Sequence, residues 1–440
     1  MATNNPFSGL PFHHESLGSV ANNGTVPSLD MFNRMNVVTP TTVFQTHAVN
    51  TPQYEIMDYI STGTGTVVHD SLSSIITLSA NDGGGRAVRQ SREYMFYQPG
   101  KLQVAYFTFN PRYSGTFDNS VSVRVGLFDD YRDKSAESNK VSMGHFFELS
   151  GNSWFIVERS NSVNNLSNVT RIPQGNWNLD TLNGVRNTSS SGYILSNQRA
   201  LLGFIERQWL GVGAVRMGFV INGRAIFCHL FSHTNIQIPY TRLSRVPIRW
   251  EIEKVAGGSA STATLASICA TAQVLGEYTP HGYIVSLPAS LTLTTQQVDT
   301  TLRPIFILRL RQPFCRSSLK IKNVSIYGSA AGAYTLFKNS TIGGGTLTYT
   351  THPDPRSMTE YISFSGGGTS SYTITDGISF DNGFFDNKVS ISNIFDTNEL
   401  TSIHSFCSDI KGNLDTFIVA ACSLTATADV RVAVQWMEIT

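Results

Sequence analysis

A chain of 440 residues exceeds what one hydrophobic core ordinarily organises, so two or three domains are expected. Charged residues make up 14%, and 32 Lys and Arg against 31 Asp and Glu leave a net charge of +1. That balance excludes the electrostatic footprint of a nucleic-acid or anionic-membrane binder, so neither partner is expected. The cations are 23 Arg against 9 Lys, a bias towards the side chain that best tolerates contact surfaces. With abundant Gly, Ser, Thr and Asn, this fits an all-β protein that hides surface against neighbours, and equally an all-β monomer with a bland surface.

The N-terminus, MATNNPFSGL, has no basic segment and no apolar run, so neither a signal peptide nor a membrane span is expected. Residues 1–54 are polar and aperiodic, with scattered Phe7, Phe12, Met31, Phe32 and Phe44. They read as a loose end or as an extended arm that orders across a neighbouring subunit. Strand patterns follow over 66–79, 94–97, 102–110 and 121–128. In the last of these Val121, Val123, Val125 and Leu127 alternate with smaller or polar residues. Ser150-Gly151-Asn152 predicts a hairpin turn pairing Phe147 and Leu149 with Trp154 and Ile156. Residues 159–192 read as a long surface loop anchored by Trp177.

The clearest element is WLGVGAVRMGFVINGRAIFCHLF (209–231). Asn222-Gly223 demands positive φ at both turn positions and so predicts a type I′ hairpin. Pairing outward from the turn puts Phe219 with Ile226, Met217 with Cys228 and Val215 with Leu230 on an apolar face. Gly218 with Phe227 and Arg216 with His229 then fall on a mixed face. Residues 247–253 form a further strand. Residues 263–275 are ambiguous: their alanines suit a helix, their β-branched residues a strand. A Pro-, Thr- and Gln-containing stretch near 286–303 predicts a linker. Short strands between Gly, Asn and Ser turns then continue to the C-terminus, as in a jelly roll.

Motifs for chemistry are sparse. Cys228, Cys269, Cys315, Cys407 and Cys422 are odd in number and widely spaced, which argues against a disulfide framework and a cysteine zinc site. Cys228 is expected as a buried free thiol. Six N-x-S/T sequons are expected from composition alone. Asp129, Asp130 and Asp133 could form a cation or ligand loop, although the spacing lacks the glycine and distal glutamate of a calcium loop. A solvated acidic turn is the simpler reading. Glu206 with Glu251, or Glu148 with Glu158, could be a glycosidase pair only if each pair faced across a cleft. His229 and His233 lack the helix and adjacent Glu of a zincin, and His229 reads as a partner of Arg216 or of backbone. No nucleophile elbow, phosphate loop or dinucleotide fingerprint is present.

Six blocks, SREYMFYQPGK (91–101), VRVGLFDD (123–130), GHFFELSGNSWFIVERS (144–160), RIPQGNWNLDTLNG (171–184), QWLGVGAVRMGFVINGRAIFCHLF (208–231) and PIRWEI (247–252), occur in an order similar to virion structural proteins of double-stranded DNA viruses. That group spans large eukaryotic viruses and tailed phages. Ala214 stands where the resembled group carries a basic residue. The hairpins also resemble those of concanavalin-like sandwiches. The resemblance implies a virion location and a capsid-associated, vertex or fibre role, with no catalytic residue or cofactor. It implies partners in other capsid proteins and in the chain itself, as a homo-oligomer for which a trimer is the simplest guess.

The expected fold is thus all-β: an arm (1–54), a concanavalin-like sandwich (55–285), a linker (286–303) and a C-terminal β-sandwich or jelly-roll domain (304–440). The expected function is structural. The alternative is a non-enzymatic receptor- or host-glycan-binding protein on the virion surface, using Trp177 beside Asp129, Asp130 and Asp133.

Overall fold

The computed structural model describes residues 38–439 apart from 82–83, 116, 137–141, 162–166, 188–189, 258–261, 279–280, 288–294, 365–371 and 387–404. The described residues are almost entirely β, with short 3-10 turns and no α-helix. They form two compact units, one of 1–132 and 140–279, the other of 133–139 and 280–440.

The first unit is a β-sandwich. Its eight-stranded sheet runs β15 (Arg224–Ser232), β14 (Ala214–Ile221), β13 (Leu201–Arg207), β6 (Gln103–Gly115), β17 (Ala263–Leu275), β4 (Ile75–Ala80) and β3 (Thr66–Asp70), with β1 (Pro40–Thr46) also paired to β17. Its seven-stranded sheet runs β10 (Ser167–Pro173), β9 (Ser153–Asn161), β8 (Met143–Ser150), β7 (Val121–Asp129), β16 (Ile248–Lys254), β5 (Arg86–Ser91) and β2 (Met57–Thr62). A short ladder joins β11 (Arg186–Asn187) to β12 (Ser190–Ser191). The alternating residues of β7 point into one core with Phe107, Phe147 and Phe219. The Phe147 ring, from the seven-stranded sheet, lies 4.4 Å from Phe219 and 6.1 Å from Phe107 of the other sheet, so the two inner faces interdigitate.

The second unit is also a pair of sheets. One runs β18 (Tyr283–Leu287), β30 (Ala428–Ile439), β21 (Ser318–Gly328) and β28 (Ser405–Phe406), with β19 (Gln296–Val298) also on β30. The other runs β24 (Thr350–Thr351), β25 (Thr359–Ser363), β20 (Arg303–Leu310), β29 (Thr416–Ser423), β22 (Gly332–Lys338) and β27 (Ile378–Phe385), beside a ribbon of β23 (Thr341–Gly343) and β26 (Thr373–Thr375). Leu308, Leu336 and Val419 meet Val324 and Trp436 in its core. The all-β class is therefore as expected, and the 263–275 segment is a strand.

Three expectations need correction. The expected arm of 1–54 does not hold over Pro40–Thr46, which is a strand on β17, held because Phe44 buries its ring in the core. Residues 1–37 lie outside the described residues. The expected linker 286–303 contains β19 and the start of β20, since Leu287 and Val298 are buried in the second core. Residues 133–139 belong to the second unit, where the Ala136 amide donates to the Lys411 carbonyl at 3.1 Å.

Candidate functional site

The central hairpin decides where functional side chains go. Asn222 and Gly223 both have positive φ, as the type I′ turn requires. Ile221↔Arg224, Val220↔Ala225, Phe219↔Ile226 and Gly218↔Phe227 pair as the alternation predicts. Beyond them a β-bulge interrupts the ladder, and Met217 pairs with His229, Arg216 with Leu230 and Val215 with Phe231. A bulge of one residue turns every later side chain to the opposite face. His229 and Phe231 thus face the core beside Cys228, and His233 follows them inward. Arg216 stays outside and pairs with Glu206, not with His229.

The bulged edge is capped by the 174–182 loop. Backbone amides of Leu179 and Asp180 donate to the Cys228 carbonyl at 3.0 and 3.2 Å. Asn178 accepts from the Leu230 amide at 2.9 Å and donates to its carbonyl at 3.0 Å. The Asn178 amide donates to His229 Nδ1 at 3.3 Å. An edge strand otherwise exposes these groups, and here the loop consumes them.

Inside the bulge lies a polar cluster. Register puts His145 of β8 opposite Glu158 of β9 on the inner face, and His233 arrives from the end of β15. Nε2 of His145 is 2.8 Å from Glu158 Oε2, and Nε2 of His233 is 2.7 Å from the same atom. Nδ1 of His233 is 2.6 Å from the Gly213 carbonyl oxygen. The Tyr240 ring stacks on His233 at 3.7 Å and 6°, and Phe231 packs 5.7 Å from His145. All three residues are buried, and their ligand atoms lie within 4.8 Å of one another, so they could hold a metal ion. Burial pushes the Glu158 carboxyl up, but hydrogen bonds from the two imidazoles outweigh it and hold it at about 2. Burial pushes His145 below the usual imidazole range and His229 down to about 4. Sequence reasoning missed the cluster because its members come from two hairpins and a bulge. The only local signal was His145 and Glu158 at mirrored positions about the Gly151-Asn152 turn.

The outer face of the eight-stranded sheet carries a second arrangement. Tyr106 on β6, Phe204 on β13 and Phe227 on β15 form a row, with ring centroids 6.0 and 5.1 Å apart. Gly218 on the intervening β14 makes the row possible, because a Cβ there would stand 2.8 Å from the Phe204 ring tip. Arg216 lies 4.4 Å over the Phe227 ring, and its fork donates to Glu206 Oε2 at 2.6 and 3.1 Å. Tyr106, Phe227, Glu206 and Arg216 are all partly exposed.

The residues expected to form a contact surface lie elsewhere. Trp177 is only 4% exposed, packed in the first core with its Nε1 donating to the Ile172 carbonyl at 3.2 Å. It anchors its loop, as expected, and presents no ring to solvent. Asp129 is buried and accepts from the Tyr94 hydroxyl at 2.8 Å. Asp130 is buried and paired with Arg132 and Arg159. Asp133, also buried, falls in the second unit. The acidic turn is thus internal, not solvated. The two carboxylate pairs do not face each other either. Glu148 is on the outer face of its sheet between Arg124 and Arg171, while Glu158 is on the inner face. Glu206 and Glu251 belong to different sheets.

The first unit is a two-sheet β-sandwich, and the chain has a distant likeness to several solved β-sandwich structures. The chain is similar to an endo-β-1,4-glucuronan lyase from Trichoderma reesei, with 12% identity, 54% of this chain and 96% of that chain covered, and a TM-score of 0.35. It is similar to a legume lectin-like domain from Entamoeba histolytica, at 11% identity, 53% and 98% coverage and a TM-score of 0.32. It is likewise similar to a Bacillus licheniformis β-glucanase, at 12%, 53% and 98%, and 0.32. These likenesses concern fold alone. No family model and no curated protein matches the chain.

Proposed function

We propose that this chain is a glycan- or receptor-binding protein of a virus particle, with the first sandwich as its recognition module. The observation that carries the binding reading is the partly exposed rings of Tyr106 and Phe227, set on either side of the buried Phe204 ring and beside the Glu206–Arg216 pair. Flat apolar rings accept the C–H face of a pyranose, and a fixed carboxylate and guanidinium offer acceptors and donors to its hydroxyls. Because Arg216 is already matched by Glu206, the expected ligand is a neutral sugar, not an acidic one. The virion setting rests on the resemblance of six collinear blocks. Two of them, 171–184 and 208–231, pack against each other at the bulged strand. A role in particle assembly, through copies of itself or other capsid proteins, is compatible with this reading and belongs to the same setting.

The test is a glycan array on the full chain, followed by titration of the strongest neutral oligosaccharide. Phe227→Ala and Arg216→Ala are each expected to weaken binding at least tenfold while the circular dichroism spectrum stays unchanged. An array without signal, or a signal indifferent to both substitutions, would remove the ring row from the argument.

A further inference from the structure

We infer that His145, Glu158 and His233 form a binding site for a divalent transition-metal ion of the zinc class, which clamps the two sheets of the first sandwich together at the bulged end. Two imidazoles and one carboxylate are a donor set for such an ion. They come from both layers: His145 and Glu158 from adjacent strands of the seven-stranded sheet, His233 from just past β15 of the eight-stranded one. An ion bound by all three would tie the sheets by coordinate bonds.

The hydrogen-bond pattern is the independent reason. The Gly213 carbonyl can only accept, so Nδ1 of His233 carries a proton. In the neutral ring Nε2 then presents its lone pair to a carboxylate oxygen 2.7 Å away. Two lone pairs at that distance need a cation between them, either a second proton or a metal ion. A backbone carbonyl on the far nitrogen is also the usual outer support of a metal-bound histidine, since it fixes both tautomer and ring plane. Here the support is itself fixed. Gly213 closes a tight turn by donating to the Trp209 carbonyl at 2.8 Å, and a Cβ at Gly213 would stand 1.7 Å from the Gln208 carbonyl oxygen. Tyr240 stacks against the same imidazole. On the other side, His145 Nδ1 is buried without a hydrogen-bond partner among the described residues. Its Nε2, 2.8 Å from the same carboxylate oxygen, likewise needs a proton or a cation between them, and with a metal ion there Nδ1 would carry the ring proton.

Metal–ligand bonds of about 2.0–2.2 Å put tetrahedral ligand atoms about 3.3 Å apart. The 2.7 and 2.8 Å contacts would open by about half an ångström to admit the ion. A water molecule would complete the shell. The site is shielded from bulk solvent, because the three side chains are at most 10% exposed. The ion would also set the two loops that bear Gly213 and Tyr240, whose tips expose Leu210, Val212, Ile236 and Ile238.

The experiment uses the full chain, stripped with EDTA and titrated with Co2+. The expected result is one equivalent bound, with visible bands of a four- or five-coordinate nitrogen–oxygen site, displaced by one equivalent of Zn2+. Zn2+ should raise the Tm of the unaltered chain, and EDTA should reverse the rise. His233→Gln and Glu158→Gln should abolish stoichiometric binding, while His69→Ala on β3 leaves it unchanged. If the buried substitutions prevent folding, X-ray absorption of the Zn2+ complex of the unaltered chain decides, with two imidazoles and no sulfur expected. No bound equivalent at micromolar metal would mean that a proton alone fills the gap, and would overturn the site. Sulfur-to-cobalt charge-transfer bands, or binding retained in folded variants, would overturn it equally.

Discussion

Glu251 shows why this sandwich is rich in arginine. Its carboxylate, inaccessible to solvent, is contacted by Arg249 at 2.5 Å, Arg124 at 2.6 Å, and Arg86 and Arg132 at 3.2 Å. Burial opposes its charge, but these four guanidiniums hold the carboxyl well below the usual range. Part of the Arg bias that suggested subunit interfaces is thus spent inside the first unit, where Arg86, Arg89, Arg207, Arg245 and Arg249 are all buried. Replacing Glu251 with Gln should cost about 3–5 kcal/mol in urea unfolding, because it strands buried cations. Asp130 gives a pH signature. Burial and the nearby Glu251 raise its carboxyl, yet the Arg132 fork and Arg249 outweigh them and hold it at about 2. A carboxyl depressed in the folded state contributes stability that is complete above its unfolded value near 4 and is lost as pH falls towards 2. The stability gap between the unaltered chain and Asp130→Asn should therefore narrow by about 2 kcal/mol between pH 5 and pH 2. A gap constant with pH in denaturant titrations would contradict this.

The decisive element is the bulged hairpin with its loop. Losing the Asn178 side chain leaves both polar groups of Leu230 without their partners on an edge strand. Asn178→Ala should cost about 1–3 kcal/mol and speed hydrogen exchange at the Leu230 amide, while amides near Asn222 keep their protection. Gly218 is constrained from two sides: a Cβ would stand 2.0 Å from the Ile226 carbonyl oxygen as well as against Phe204. Gly218→Ala should lower the urea midpoint, by about 2–4 kcal/mol in stability, and should disturb the ring row. The alternation of β14 and the Asn-Gly turn were legible in the sequence because they are local: positive φ and period two depend on the residue and its neighbours. The bulge was not legible. It arises where Cys228, His229 and Leu230 meet a loop some fifty residues earlier, and no local pattern records that meeting.

At the scale of the whole molecule, two β units are held by separate cores, and the chain crosses between them more than once, since residues 133–139 join the second. Oligomerisation is the expectation that a mass measurement resolves. Light scattering on the full chain should give a defined multiple of 48.2 kDa, reduced when residues 1–37 are deleted. The deletion should stop before Pro40, because removing β1 would also strip Phe44 from the core and lower stability. A monomer in both forms would exclude an assembly role for the arm and leave the recognition reading alone.

By itself, the sequence determined the all-β class, the turn of the central hairpin, the Phe147–Ile156 and Leu149–Trp154 pairings and the buried thiol of Cys228. Each follows from side-chain alternation or from backbone conformations that few residues adopt. Only the tertiary structure decided that Trp177 and the acidic turn are internal, that Pro40–Thr46 is a strand, and that His145, Glu158 and His233 converge. Burial and convergence depend on which distant strands become neighbours. Packing of the two sheets sets that, and a pattern read along one strand does not contain it.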